Sequence, residues 1–181
     1  MTGSESILLD AESIARIVRR IASEIVERTS GSSQLAFIGI RHGGVPIAAR
    51  LAAAVGEAHH AAIPVGAIDM TLYRDDASSA LLTPKVGPAE IDFDVSGLEV
   101  VLVDDVLHTG RTVRAAIESL LAYGRPRRIW LAVLCDRGAR ELPIAADFVG
   151  RALDVPQGFV LDVLAEGGAG DRVLLRKKVK T

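Results

Sequence analysis

Three short apolar runs constrain this chain most. LAFIGI (35–40), LEVVLVD (98–104) and RRIWLAVLC (127–135) each read as a strand buried on both faces. Each ends in a polar or glycine-bearing loop: RHGG, DDVLHTGRT and DRGAR. Helical patterns lie between them. AESIARIVRRIASEIVER (11–28) sets Ile14, Ile17, Val18, Ile21 and Ile25 on one stripe, with Asp10 placed to cap its start and Gly31 in its exit loop. VPIAARLAAAV (45–55) and TVRAAIESLLAYG (112–124) continue the alternation. Strands alternating with helices predict an α/β fold with a mainly parallel central sheet flanked by helices. In such sheets ligands bind beyond the carboxyl ends of the strands, so the three loops are expected on one rim.

The remaining segments are less regular. AIPVGAIDMTLYR (62–74) reads as strand, and 75–97 as a long loop placed to fold over the rim as a lid. DRGARELP reads as a short turn of helix, ADFVG (146–150) as a short strand, and FVLDVL and RVLLR as a weakly alternating tail. With 181 residues and no linker, repeat or low-complexity tract, a single domain is expected over 1–181. A net charge of −2 excludes a polycation that would coat any nucleic acid. Cys135 is the only cysteine, which rules out an intrachain disulfide or a cysteine-rich metal site and fits a reducing compartment. MTGSESILLD has neither the basic nor the apolar region of a secretory signal, and no apolar run nears membrane-spanning length. The expected location is the cytoplasm, with no membrane partner.

The chemistry concentrates in VVLVDDVLHTGRT (100–112). Gly110 allows positive φ and close approach of backbone amides to a ligand. Thr109 and Thr112 add hydroxyls, and the following helix presents its positive end. The combination suits a phosphate, though helix capping by Thr109 or Thr112 is the plainer alternative. No Walker A or GxGxxG pattern is present. Asp104 and Asp105 are acceptor-only groups when ionised, suited to sugar hydroxyls or a hydrated Mg²⁺. A sugar phosphate reconciles the two features, with its phosphate on the amides and its ring hydroxyls toward the acids. Strand neighbours point to opposite faces, so the two acids are expected to differ in role.

This thirteen-residue stretch resembles the phosphoribosyl-pyrophosphate (PRPP) motif of type I phosphoribosyltransferases: an apolar strand, two acids, then T-G-x-T. DMTLYRDD, GRPRRIWLAVLCDRGARELPIAADFVG and LLDAESI…RIASEIVER extend the resemblance across nearly the whole chain, to the PyrR family of pyrimidine operon regulators with uracil phosphoribosyltransferase activity. The resemblance implies a small hood, from about 136–175 plus the N-terminal segment, and a lid from about 74–97. It implies that uracil and PRPP give UMP and pyrophosphate with Mg²⁺, held by Asp104 and Asp105 through water. Val106, Leu107, His108, Thr109, Gly110, Arg111 and Thr112 would cradle the 5′-phosphate. Arg41, His42, Gly43 and Gly44 would hold pyrophosphate, Arg74 would close over it, and Asp136 and Arg137 would meet the nucleobase. On sequence alone, RHGG also fits a strand-to-helix turn, Arg74 a surface ion pair, and Asp136-Arg137 a polar turn.

Two departures from the family pattern stand out. The pyrophosphate loop reads RHGG where PyrR regulators commonly have K-T-R-G. For a pyr leader mRNA, the chain keeps Arg19, Arg20, Arg28, Arg140 and Arg151, but has Ser23 and Ala139 in place of expected histidines and Ala145 in place of an arginine. Each missing cation removes a phosphate contact. The arginines also fit a solvated helix face. The family implies a homodimer or homotetramer. Alternative readings are an RNA-binding attenuation regulator with little catalysis, or a phosphoribosyltransferase for another nucleobase. A receiver domain would need its acid pair near the N-terminus and a downstream lysine at a strand end, which this chain lacks.

Overall fold

The computed structural model describes residues 5–29, 34–70 and 89–178. In chain order the elements are β1 (Ser6–Asp10), α1 (Ala11–Thr29), β2 (Leu35–Ile40), α2 (Gly44–His59), β3 (Val65–Ile68) and β4 (Glu99–Leu107). There follow α3 (Arg111–Leu121), β5 (Arg128–Asp136), β6 (Phe148–Ala152), β7 (Phe159–Leu164) and β8 (Arg172–Lys177). The main sheet is parallel throughout, in the order β3-β2-β4-β5-β6. A second sheet, β1-β8-β7, is antiparallel and joins the two ends of the chain.

The pleat explains why the central strands are apolar throughout. Leu35, Phe37, Val101, Val103, Ala132 and Leu134 face one core, packed on α1, α2 and the small sheet. Ile38, Ile40, Val100, Leu102, Leu131 and Val133 face the other, packed on α3 and the 89–98 segment. Helix α1 buries the predicted stripe, and Asp10 accepts the Ser13 N–H at 2.8 Å, the expected cap. Trp130 sits between the guanidinium groups of Arg28 and Arg128 and donates its indole N–H to Glu99.

Four expectations change. Strand β4 does not stop at 104 but runs through both acids to Leu107, because its pairing with β5 continues to Asp136. Helix α3 ends at Leu121 rather than 124. Of the strand expected over 62–74, the described part is strand only over Val65–Ile68. DRGARELP forms no helix: Gly138 and Ala139 both have positive φ, at 69° and 54°, which interrupts a right-handed turn. Strand β1 carried no expectation at all.

Besides shared core packing through Leu9, Ala165 and Val173, an ion pair ties the loop before β8 to α2. Asp171, only 6% exposed, accepts from Arg50 at 2.7 Å and from the Gly167 and Gly168 amides at 2.9 and 3.1 Å. Burial alone would raise its carboxyl, but the two amides and Arg50 outweigh this and hold it below the ordinary carboxylate range. Its stabilisation is therefore complete above the ordinary value of 3.8 and lost as pH falls through the lower folded value. Asp171→Asn should cost about 2 kcal/mol in urea unfolding at pH 7. The gap to the wild type should narrow on acidification; a gap that stays constant would contradict this account.

Candidate active site

The carboxyl ends of β2, β4 and β5 meet in one cleft. Its lining includes Arg41, Asp104, Asp105, the loop from Val106 to Gly110, Thr112, Arg137, and Val160 and Leu161 from β7. An adjoining depression shares Asp105 and Leu161 and adds His42, Gly43 and Pro46. The loops that the sequence placed on one rim thus converge here, beneath the small sheet.

The acids differ, as the pleat requires. Asp104 is buried on the α3 side, paired across the sheet with Val133, and accepts the Asp105 N–H at 3.0 Å. Asp105 is half-buried on the opposite face. Its Oδ1 accepts the Val106 N–H at 2.8 Å and its Oδ2 lies against the start of α2. A Cβ on Gly43 would stand 2.1 Å from that oxygen, and one on Gly44 would stand 2.2 Å from the Val103 carbonyl. Gly43 has φ −72°, open to any residue, so space alone demands glycine there. This gives the departure from the K-T-R-G pattern a physical meaning. With Gly43, the second acid rests directly on the RHGG loop.

Gly110 adopts φ 92° and begins α3. Thr109 Oγ1 accepts the Arg111 N–H at 3.2 Å, while the amides of Thr112 and Val113 have no acceptor within the helix and stand at the cleft. A Thr109 cap and open helix-start amides therefore coexist. Thr109 serves one amide, and the helix end offers the others to a ligand.

Arg41 reaches the cleft but is ion-paired with Glu90, whose backbone bridges to Ala67 on the edge strand β3. The Arg41–His42 peptide is cis. Arg137 lines the cleft and donates to the Phe159 carbonyl at 3.4 Å, and its Nε is buried with no acceptor among the described residues. Cys135 lies deeper. Burial, then the negative charge of Asp105, pushes its thiol up to about 12, so it is no nucleophile at neutral pH.

Several expected site residues lie elsewhere. Asp136 does not line the cleft; its carboxylate binds Arg140 and the Gly138 N–H. Burial alone would raise its carboxyl, but these partners together hold it low. Arg111 points outward to Glu141 at 2.7 Å, and Gly44 packs behind the cleft wall. Of the arginines expected to meet RNA, Arg19 and Arg151 are exposed, Arg20 binds Glu24 and the carbonyls of Val149 and Gly150, and Arg28 pairs with Asp147. Arg140 is turned inward instead. Arg74 and the expected lid up to residue 88 lie outside the described residues. Val160 and Leu161 were missed, because the weak alternation of FVLDVL shows a strand but not what it covers.

The sequence profile of the phosphoribosyl transferase domain matches residues 4–163. The chain belongs to the phosphoribosyl transferase family. It is 55% identical to the bifunctional protein PyrR of Roseiflexus sp. (strain RS-1), over 81% of this chain and 80% of that protein. It is 49% identical to the bifunctional protein PyrR of Thermus aquaticus, over 94% and 95%. These relatives place it in the PyrR group. The fold matches the crystal structure of the Trypanosoma cruzi hypoxanthine phosphoribosyltransferase with a TM-score of 0.71 at 20% identity, covering 96% of this chain and 97% of that one. Among the described residues no helix is long and apolar enough to cross a membrane.

If Asp105 must rest on the RHGG loop to meet a pentose, Gly43→Ala should displace it without unfolding the chain. Calorimetry should then show ribose 5-phosphate binding about tenfold weaker, or ~1.4 kcal/mol. Unchanged affinity would mean that Asp105 plays no part in holding the sugar.

Proposed function

We propose that the chain transfers the phosphoribosyl group of PRPP to uracil, giving UMP and pyrophosphate. The observation that carries this reading is the single cleft joining an acid pair, a helix-start phosphate cradle and the orphaned Arg137 donor beneath β7.

The amides of Thr112 and Val113 and the Thr109 and Thr112 hydroxyls bind the 5′-phosphate. Asp104 and Asp105 accept from the ribose hydroxyls and fix the ring. Arg137 Nε donates to a uracil carbonyl, and Val160 and Leu161 cover the base. Arg41 and the RHGG loop receive the pyrophosphate, for which Arg41 must exchange Glu90 for the ligand. The C1′–O bond to pyrophosphate breaks as the bond from C1′ to uracil N1 forms, and the N1 proton passes to the departing pyrophosphate. Negative charge grows on the leaving group, where the Arg41 guanidinium, once released from Glu90, stabilises the transition state more than the ground state. The small sheet excludes water that would otherwise hydrolyse the donor.

The donor set suits Mg²⁺. No group of three potential metal ligands exists among the described residues, and two carboxylates plus substrate oxygens and water are what this ion takes. Asp104 and Asp105 would hold it through water, and it would supply charge neutralisation on the pyrophosphate. Arg74 at the lid, a cytoplasmic setting and a homo-oligomeric assembly belong to the same reading.

A second activity is favoured by the arginines along α1 and β6. Arg19 and Arg151 are exposed and carry no ion pair among the described residues; Arg151 lies in the edge strand β6 that Arg20 binds. We infer that this face contacts a pyr leader mRNA in response to UMP.

Purified protein with Mg²⁺ should form UMP from uracil and PRPP. Asp105→Asn and Thr112→Ala should each lower kcat/KM for PRPP about 10²-fold, as loss of one transition-state contact does. Turnover of orotate or hypoxanthine but not uracil would overturn the base assignment.

A further inference from the structure

We propose that Arg140 is a positioning residue for the transfer reaction, locking the loop under the nucleobase to the loop that cradles the phosphate. The proposal rests on the phosphoribosyl-transfer reading and gives Arg140 a role distinct from RNA contact.

Arg140 meets five acceptors. Its Nε donates to the Ile144 carbonyl at 3.0 Å. One terminal nitrogen faces the carbonyls of His108 at 2.7 Å, Gly138 at 3.1 Å and Leu107 at 3.4 Å. The other binds the Asp136 carboxylate. Leu107 and His108 belong to the phosphate loop, while Asp136 and Gly138 flank Arg137, the donor in the cleft. One rigid guanidinium therefore spans both subsites, which a lysine's point charge cannot do.

The backbone around Arg140 is shaped to present it. Gly138 and Ala139 both take positive φ, and the Gly138 N–H is held by Asp136 at 2.9 Å. Such a conformation is strained at alanine and persists only where the surroundings enforce it. The two loops are further laced by backbone bonds. The Arg137 N–H donates to the Leu107 carbonyl at 3.1 Å, and the Glu141 and Leu142 amides donate to the Thr109 carbonyl at 3.0 and 3.1 Å. Ile144, which accepts from Arg140, also packs 3.4 Å from where a Cβ on Gly110 would stand. A shift at Arg140 therefore reaches the cradle and the base donor together. At 23% side-chain exposure, little of Arg140 remains for an outside partner.

The test is R140K on the full chain, alongside the wild type. Expected are a preserved fold by circular dichroism and at least tenfold faster hydrogen exchange at the 107–112 amides. KM should rise at least fivefold for both PRPP and uracil, with affinity for the pyr leader RNA unchanged. Should R140K not fold, D136N removes the anchor while keeping the arginine, and must quicken the same amides although the Asp136 carboxylate accepts from Arg140 and the Gly138 N–H instead of from them. Exchange and both KM values at wild-type levels would overturn the proposal. So would loss of RNA binding with unchanged kinetics. A wild type that makes no UMP would sink the transfer reading instead, and the exchange measurement would still decide the role of Arg140.

Discussion

The rim of this molecule is organised by how closely the start of α2 approaches the carboxyl end of β4. Two consecutive glycines remove the side chains that would otherwise hold the helix off, and the backbone at 43–44 comes to rest on Val103 and Asp105. That contact fixes the orientation of the second acid and the height of the RHGG loop above the sheet. It also places the adjoining depression beside the main cleft. A methyl group at Gly43 is a small change in volume, but it falls where the neighbouring atom is a carboxylate oxygen rather than open space.

From that contact the chemistry follows by geometry. Strand β4 carries its two acids onto opposite faces of the sheet, one toward α3 and one toward α2, so a single ligand can be held from two sides. The loop after β4 turns through Gly110 and offers the unpaired amides of α3. The loop after β5 is bound to it by Arg140 and by backbone hydrogen bonds. Charge is balanced locally. Arg41 pairs with Glu90 and Arg140 with Asp136, leaving the buried Nε of Arg137 as a donor that a ligand can satisfy. Under the proposed transfer, exchange of Glu90 for pyrophosphate at Arg41 would link ligand binding to the segment that returns beside β3.

Much of this was legible in the sequence, and the failures have physical causes. LAFIGI, LEVVLVD and RRIWLAVLC announce buried parallel strands because both faces are apolar, and the loops after them fall on one rim by topology. The end of β4 was misjudged because the strand continues through charged residues, held by pairing with β5 that no local pattern reveals. The small sheet was legible only through the family resemblance, which implies a hood from about 136–175 plus the N-terminal segment; local patterning does not show it, since β1 pairs with β8 across nearly the whole chain and its register depends on tertiary contact. The place of Asp136 outside the cleft lining and the inward turn of Arg140 were not legible, because both depend on a left-handed turn at Ala139, a residue that gives no sign of it. Val160 and Leu161 escaped notice because covering a site is a property of the packed fold.

The central claim is that paired acids hold a pentose while main-chain amides at the start of α3 hold its phosphate. A crystal structure of the full chain with ribose 5-phosphate tests it most directly. The phosphate should lie within hydrogen-bonding distance of the Thr112 and Val113 amides, with ribose hydroxyls facing Asp104 and Asp105. Ligand bound elsewhere, with this cleft empty at saturating concentration, would contradict the account.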